Sequence, residues 1–413
     1  MNTETVTISS LGAQGDGVAM CEDGPVYVGF ALPGEDVTIR RNKSKGQLVS
    51  IEKASEERTE PPCPYFGPQG ARCGGCSLQH LNLGAYQQWK RRLVADALSS
   101  RGIETRIDEL VTCSPGSRRR AVFTAISTKG GLLFGFNQAG THNIVSIENC
   151  AVLSRTIVDQ LPGLQALATL LVRNKRPFQL QVLETLSGLD VTVQGIAHLS
   201  EKQRHRAIAR ALELGLARLS LGGEILIEAR KPVVKFCGID VAPPPGGFLQ
   251  ASEAAQDKMI ALVSEHMAGL KRVADLFCGC GTFTLPLARE IAVDAAENDG
   301  ATLAALDQAA RHTQGLKPVT TERRDLFRRP LMAAELKKTD GVVFDPPRAG
   351  AQAQSVEIAA SAVKKVAAVS CNPATLARDL RILIDGGFNL RSVTLIDQFL
   401  WSPHVEAIAL LER

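Results

Sequence analysis

Cys371 lies in Ser370-Cys371-Asn372-Pro373, a polar turn that follows an apolar run and opens a helical stretch. A thiol beside a helix N-terminus has its thiolate favoured by the macrodipole, which is where a nucleophile is placed. Cys21, Cys113 and Cys237 lack that setting and read as small buried hydrophobes. Asp345-Pro346-Pro347-Arg348 also directly follows an apolar run. Its two prolines force an extended, rigid turn and remove two backbone donors, so they hold the Asp345 carboxylate in place. His404-Val405-Glu406 supplies an imidazole and a carboxylate. A thiol nucleophile working on a carbon that must lose a proton also needs such a base.

Asp275-Leu276-Phe277-Cys278-Gly279-Cys280-Gly281-Thr282-Phe283 reads as a strand ending in a glycine turn that opens a helix. Such a turn lets the backbone approach a nucleotide-like ligand. Glu297 ends the next expected strand, where a carboxylate can accept ribose hydroxyls. A nicotinamide site is disfavoured, because Thr284 stands where a third glycine belongs. Cys73-Gly74-Gly75-Cys76 places two thiols in one tight loop, with Cys63 and Cys150 as the nearest further ligands. That spacing fits zinc or an iron–sulfur cluster and leaves the choice between them open.

These groups need elements to position them. The 413 residues suffice for two or three domains, and 45% hydrophobic with 22% charged is an ordinary globular balance. No apolar run is long enough to span a bilayer, and MNTETVTISS is no secretory signal, so no membrane partner and a cytoplasmic location are expected. Ten cysteines in a reducing compartment point to metal or thiolate chemistry rather than disulfides. The net charge of +4 is mild, but Lys90-Arg91-Arg92, Arg118-Arg119-Arg120 and Arg323-Arg324 together favour phosphate contacts.

Up to about residue 55, short β-branched runs punctuated by glycines predict a small β-barrel. Residues 56–62, ending in Pro61-Pro62, mark a boundary. The cysteine loop and a helix over 83–100 follow, then an α+β region with one long helix over 200–214. From about 250 strands and helices alternate, which predicts a mostly parallel sheet with the motifs at strand carboxyl ends.

Taken together, the barrel segments around Gly12–Ala19 and Leu32–Glu35, the cysteine loop, Gly247-Phe248-Leu249-Gln250, DLFCGCGTF, FDPPRAG, SCNPATLARDL and DQFLWSPHVE resemble the uracil-5 RNA methyltransferase family over nearly the whole chain. The resemblance implies a multidomain protein: a TRAM/OB-like β-barrel over 1–57, a central α+β domain with a cluster loop over 58–245, and a Rossmann-like methyltransferase domain over 246–413. It implies S-adenosylmethionine held by Gln250, Phe277, Thr282, Glu297, Asp325 and Asp345, and Phe248 facing the target base. It implies Cys371 as nucleophile, Glu406 as base, and a [4Fe–4S] cluster on Cys63, Cys73, Cys76 and Cys150, as in the ribosomal members. The implied partner is RNA, ribosomal before transfer RNA, met by a monomer. Nine residues separate Cys63 from Cys73, and Thr282, Ser252 and Phe399-Leu400-Trp401-Ser402 depart from the family pattern. The alternatives from sequence are a transfer RNA enzyme, a cytosine-5 methyltransferase, and a catalytically silent RNA-binding protein. Absence of a cysteine from the Asp345 turn favours uracil over cytosine.

Overall fold

Six short strands open the chain in a computed structural model that describes residues 3–68, 72–108, 110–172 and 174–413. Their spatial order is Thr3–Thr7, Asp36–Asn42, Lys45–Lys53, Gly24–Val28, Gly17–Cys21 and Ser10–Leu11. The two strands at opposite ends of that order are joined only by Ile8 and Ser9. The sheet must therefore curl until its edges meet, and it does so around Val26, Val28, Val37 and Ile39. Gly17 permits the closure, since a Cβ there would lie 2.7 Å from the Ala31 carbonyl oxygen.

A second sheet of seven strands runs from Ile144–Ser146 at one edge to Glu224–Glu228 at the other. Alternation along Arg120–Thr128 turns Ala121, Phe123 and Ala125 toward the helices Leu161–Leu171 and Glu201–Glu213. The second of these helices begins at Ser200, whose capping box with Gln203 satisfies the first turn. The first helix is absent from the sequence expectation, which places only one long helix in this region. Its sequence, LPGLQALATLL, is apolar almost all round because most of it is buried, so it shows little of the 3.6-residue period.

The third sheet has eight strands, ordered Val319–Arg323, Ala292–Glu297, Arg272–Leu276, Gly341–Phe344, Lys365–Ser370, Glu406–Glu412, Asn389–Asp397 and Val111–Thr112. All pairings are parallel except those of Glu406–Glu412, which runs antiparallel to both neighbours. Buried Val and Ala dominate the central strands, as expected of strands covered on both faces. The helix Leu83–Ser99 packs Val94 and Leu98 into the core of this sheet. The sequence reading groups these residues with the central segment; in the structure the helix Leu83–Ser99 packs on the third sheet and Val111–Thr112 pairs with Ile396–Asp397 at its edge. Among the described residues no helix is long and apolar enough to cross a membrane.

One ion pair anchors that helix. Lys90 and Asp397 are fully buried, 2.9 Å apart, and Tyr86 donates to the same carboxylate at 2.8 Å. Lys90 also reaches the His404 carbonyl. Lys90→Met leaves the Asp397 charge buried without its counterion, and is expected to lower unfolding free energy by about 3–5 kcal/mol. Urea denaturation of the two proteins checks this; a loss under about 1 kcal/mol would show that the pair contributes little beyond its packing.

Candidate active site

The parallel strands bring their loops to one edge of the third sheet. Arg272–Leu276 ends at Phe277, a non-glycine residue held at φ +59°, and the turn continues through Gly279 and Gly281. Backbone strain of this kind persists where the surroundings over-determine it. Gly281 sits at φ +92°, a conformation that favours glycine, and a Cβ there would meet the Leu306 side chain of the helix Gly300–His312 at 2.4 Å. Glu297 ties the turn to the next strand: Gly279 N–H donates to its Oε2 at 3.2 Å, and Asn298 and Asp299 N–H donate to its Oε1 at 2.7 and 2.9 Å.

Asp345 and Cys371 leave the next two strands. Asn372 caps the helix Pro373–Asp385 and donates its side-chain amide to the Arg348 carbonyl at 3.0 Å, binding the two turns together. Asp379 fixes the far end of the first turn by accepting from Ala351 N–H at 2.6 Å. Glu406 arrives by a different route. It begins a strand rather than ending one, and only the antiparallel direction brings that beginning to the loop edge. Since Ser370 pairs with Ala407, Glu406 is set opposite Cys371. The expectation that every motif falls at a strand's carboxyl end therefore fails at Glu406.

Gln250, Phe277, Thr282, Glu297, Asp325, Asp345, Cys371 and Glu406 line a single cavity of about 640 Å³. Asp325 accepts from Phe327 N–H at 3.1 Å, and the Phe327 ring stands 5.4 Å from that of Phe277 at the mouth. Phe248 is exposed at the rim, with the Arg120 guanidinium 4.4 Å from its ring centre.

Charge in the cavity is poorly solvated. Burial raises Asp345 to about 7, and burial with the nearby Asp345 charge pushes Glu406 well above the ordinary carboxylate range. Burial, then Glu406 and Asp345, pushes the Cys371 thiol up to about 11, and only Arg348 among nearby side chains pulls it down. The sequence expectation of a thiolate favoured by the helix is thus reversed in the free protein. His404, 3.4 Å from Arg348, is held below its ordinary value by burial and by the cations around it, and stays neutral.

Cys63, Cys73, Cys76 and Cys150 line a second cavity of about 240 Å³, walled on one side by residues 398–404. Among the described residues no three Cys, His, Asp or Glu side chains converge tightly enough to hold one metal ion. A single zinc needs four ligand atoms within about 2.3 Å of one point. The four cysteines nevertheless share one cavity, and burial raises the thiols of Cys73, Cys76 and Cys150 above their ordinary value.

The basic clusters are largely consumed by the fold. Arg119 donates to the Gln250 carbonyl and the Gln256 side chain, Arg120 to the Leu249 carbonyl, and Arg324 to Glu335. With Lys90 paired to Asp397, these residues shape the site instead of offering charge to phosphate. Sequence reasoning missed Gln398, which is 4% exposed and donates to Glu406 and Gln250, both at 2.8 Å. Its one signal is its place in DQFLWSPHVE.

Residues 239–413 match a family model described as tRNA (uracil-5-)-methyltransferase. A protein of Agrobacterium fabrum described as an uncharacterized RNA methyltransferase is 57% identical, with all of both chains covered. A 23S rRNA (uracil(1939)-C(5))-methyltransferase of Shewanella amazonensis is 32% identical over 98% of this chain and 94% of that one. The crystal structure of a Pyrococcus abyssi tRNA (uracil-54, C5)-methyltransferase with S-adenosyl-L-homocysteine has the same fold, with a TM-score of 0.75 at 22% identity over 99% of this chain and all of that one.

Asp345 gives the site a pH signature. An aspartate in the unfolded chain ionises near 3.8 and the buried Asp345 near 7, so the folded protein keeps a proton that the unfolded chain releases between them. Stability then falls as pH rises through that window. Asp345→Asn is expected to match the unmodified protein below about pH 4 and to gain on it by about 2–4 kcal/mol by pH 7. Denaturation at a series of pH values measures the gap; one that stays flat would mean Asp345 is ionised throughout.

Proposed function

The chain belongs to the uracil-5 RNA methyltransferase family, and on that footing we propose that it methylates carbon 5 of a uridine in 23S ribosomal RNA through a covalent adduct on Cys371. The observation that carries the proposal is the placement of Cys371 opposite Glu406 in one cavity with Asp345 and Gln250. Gln250, Phe277, Thr282, Glu297, Asp325 and Asp345 hold S-adenosylmethionine, with Glu297 at the ribose.

Carbon 5 of uracil is too weak a nucleophile to take a methyl group from a sulfonium unaided. The Cys371 sulfur bonds to carbon 6, and the ring becomes an enolate whose carbon 5 attacks the methyl carbon, releasing S-adenosylhomocysteine. Glu406 then removes the carbon 5 proton, and the carbon 6–sulfur bond breaks to return the thiolate. In the free protein Cys371 is a thiol, so thiolate formation relies on positive charge: Arg348 supplies one, and the sulfonium of the donor brings another into the cavity. A uridine inside a helix cannot present carbon 6 to the thiolate, so the target is a loop base or one flipped out. The N-terminal barrel, as a TRAM-type module, grips the RNA, and Cys63, Cys73, Cys76 and Cys150 would hold a [4Fe–4S] cluster, which would order the central face. The protein acts as a cytoplasmic monomer.

The ribosomal substrate draws support from the printed activity of the Shewanella relative. Transfer RNA is the second reading, favoured by the description of the family model. Labelled S-adenosylmethionine with unmodified ribosomal and transfer RNA, followed by nucleoside analysis, separates them. Label in ribosomal 5-methyluridine is expected; label in transfer RNA moves the substrate, and label in 5-methylcytidine overturns the chemistry. Cys371→Ser is expected to lower turnover at least about a thousandfold, while Glu406→Gln accumulates a methylated RNA–protein adduct on denaturing gels. Substantial turnover by Cys371→Ser would sink the nucleophile assignment. Anaerobic purification is expected to yield iron and labile sulfide in equal amounts, about four of each per chain. Zinc alone would replace the cluster with a single ion.

A further inference from the structure

Gln398 leaves the strand Asn389–Asp397 and lies between the two cavities, lining the cysteine cavity while bonding to residues of the other. Its carboxamide has only one possible orientation. Ala251 N–H, which can only donate, lies 2.8 Å from Oε1. The oxygen must face that N–H, which turns the NH₂ group toward Glu406 Oε2 and Gln250 Oε1, each 2.8 Å away. Gln250 is oriented in its turn, and its own NH₂ reaches Asp345 Oδ2 at 3.1 Å. One backbone N–H thus sets the polarity of two side-chain amides, and each amide delivers a donor to one buried carboxylate.

Building on the adduct mechanism above, we propose that Gln398 is a positioning residue for proton removal: by donating to Glu406 Oε2 it favours the ionised form of that carboxylate and leaves Oε1 as the oxygen that accepts the proton from carbon 5. In this step the C5–H bond breaks and its electron pair forms the C5=C6 double bond. The C6–S pair leaves with Cys371 as thiolate, and the proton ends on Glu406 Oε1. Among the described residues Oε1 has no hydrogen-bond donor of its own, so it is the oxygen left to receive one. Attack by Cys371 and methyl transfer precede this step and make no use of the donor to Glu406; the donor to Gln250 bears on cofactor binding, which titration with S-adenosylhomocysteine reads separately. The amide therefore governs the lifetime of the adduct rather than its formation.

Gln398→Met keeps the length of the side chain and removes the donor. With full-length protein, S-adenosylmethionine and the RNA that the labelling experiment identifies, adduct is followed on denaturing gels under single-turnover conditions from about pH 6 to 9. The adduct is expected to form within about threefold of the normal rate and to decay roughly 10–100-fold more slowly, the loss of one hydrogen bond to a charged group. The rising limb of the decay rate against pH is expected to move to higher pH, because Glu406 without its donor is harder to ionise. A purely structural role would slow decay equally at every pH or impair formation as well. Normal decay with an unmoved limb, or uniform loss, would overturn the proposal. Gln398→Asn, one methylene too short to bond both Ala251 and Glu406, is expected to give the same shift, and it decides the matter if the methionine variant does not bind S-adenosylhomocysteine. Glu406→Gln runs alongside. If it traps no adduct, the covalent mechanism itself fails; if it traps adduct and both Gln398 variants resolve theirs normally, only the role of Gln398 fails.

Discussion

Glu406–Glu412 runs against its two neighbours in an otherwise parallel sheet, and the site depends on that reversal. Parallel strands present only their carboxyl ends to the ligand edge, so every residue there arrives on an outgoing loop. Reversing one strand brings an incoming residue to the same edge, where Glu406 pairs with Ile396 on one side and the ladder to Lys365–Ser370 begins one residue later, at Ala407. Glu406 thereby gains the rigidity of a central strand, while Cys371 takes its position from a capped turn. The register between the two strands, in which one residue of slip would turn Glu406 to the other face of the sheet, is specified by six residue pairs, from Lys365 opposite Glu412 to Ser370 opposite Ala407.

The same burial that makes the placement rigid makes its charges costly. Asp345, Glu406 and the Cys371 thiol share one cavity; burial disfavours the ionised form of each, Asp345 adds to this at Glu406, and both carboxylates add to it at the thiol. The fold meets this with oriented dipoles more than with counter-charges. Two glutamine amides face the carboxylates, and among the described residues Arg348 is the side-chain cation that draws the thiol toward ionisation. Fixed amide donors lower the cost of ionisation without neutralising the base. A lysine in the place of Gln398 would neutralise the very charge that proton removal needs.

How far the sequence discloses this arrangement depends on how local each signal is. The strand-to-turn motifs at Asp345 and Cys371 are legible because prolines and caps act within a few residues. The β-barrel is legible from alternation and glycines, and the parallel sheet from alternating elements. Other features depend on partners remote in sequence. Lys90-Arg91-Arg92 reads as a basic patch until Lys90 meets Asp397 from the far end of the chain. Arg119 likewise reads as surface charge, although it holds the Gln250 backbone. The helix Leu161–Leu171 hides because burial erases its period, and Gln398 because its role needs Ala251, Gln250 and Glu406 together. Cys371 misleads most. The helix N-terminus is local and visible, whereas the two carboxylates that outweigh it arrive from other strands.

The segment between the last two strands of the chain draws these features together. Residues 398–405 form neither helix nor strand, yet they wall the cysteine cavity and end at Glu406. Their course is held from outside. Lys90 binds Asp397 at the entrance and the His404 carbonyl near the exit, Tyr86 accepts from Trp401 N–H at 2.8 Å, and Ser77 and Leu78 N–H donate to the Trp401 carbonyl at 2.7 and 3.1 Å. Trp401 itself sits at φ +58°, a conformation a tryptophan keeps only when its surroundings enforce it. Two of those ties come from the residues that immediately follow Cys76. The cysteine loop and the strand that begins at Glu406 are thus consecutive supports of one backbone segment, and order in the first limits the freedom of the second. This connection ties the cysteine loop to the wall of the cavity that holds Cys371 and Glu406.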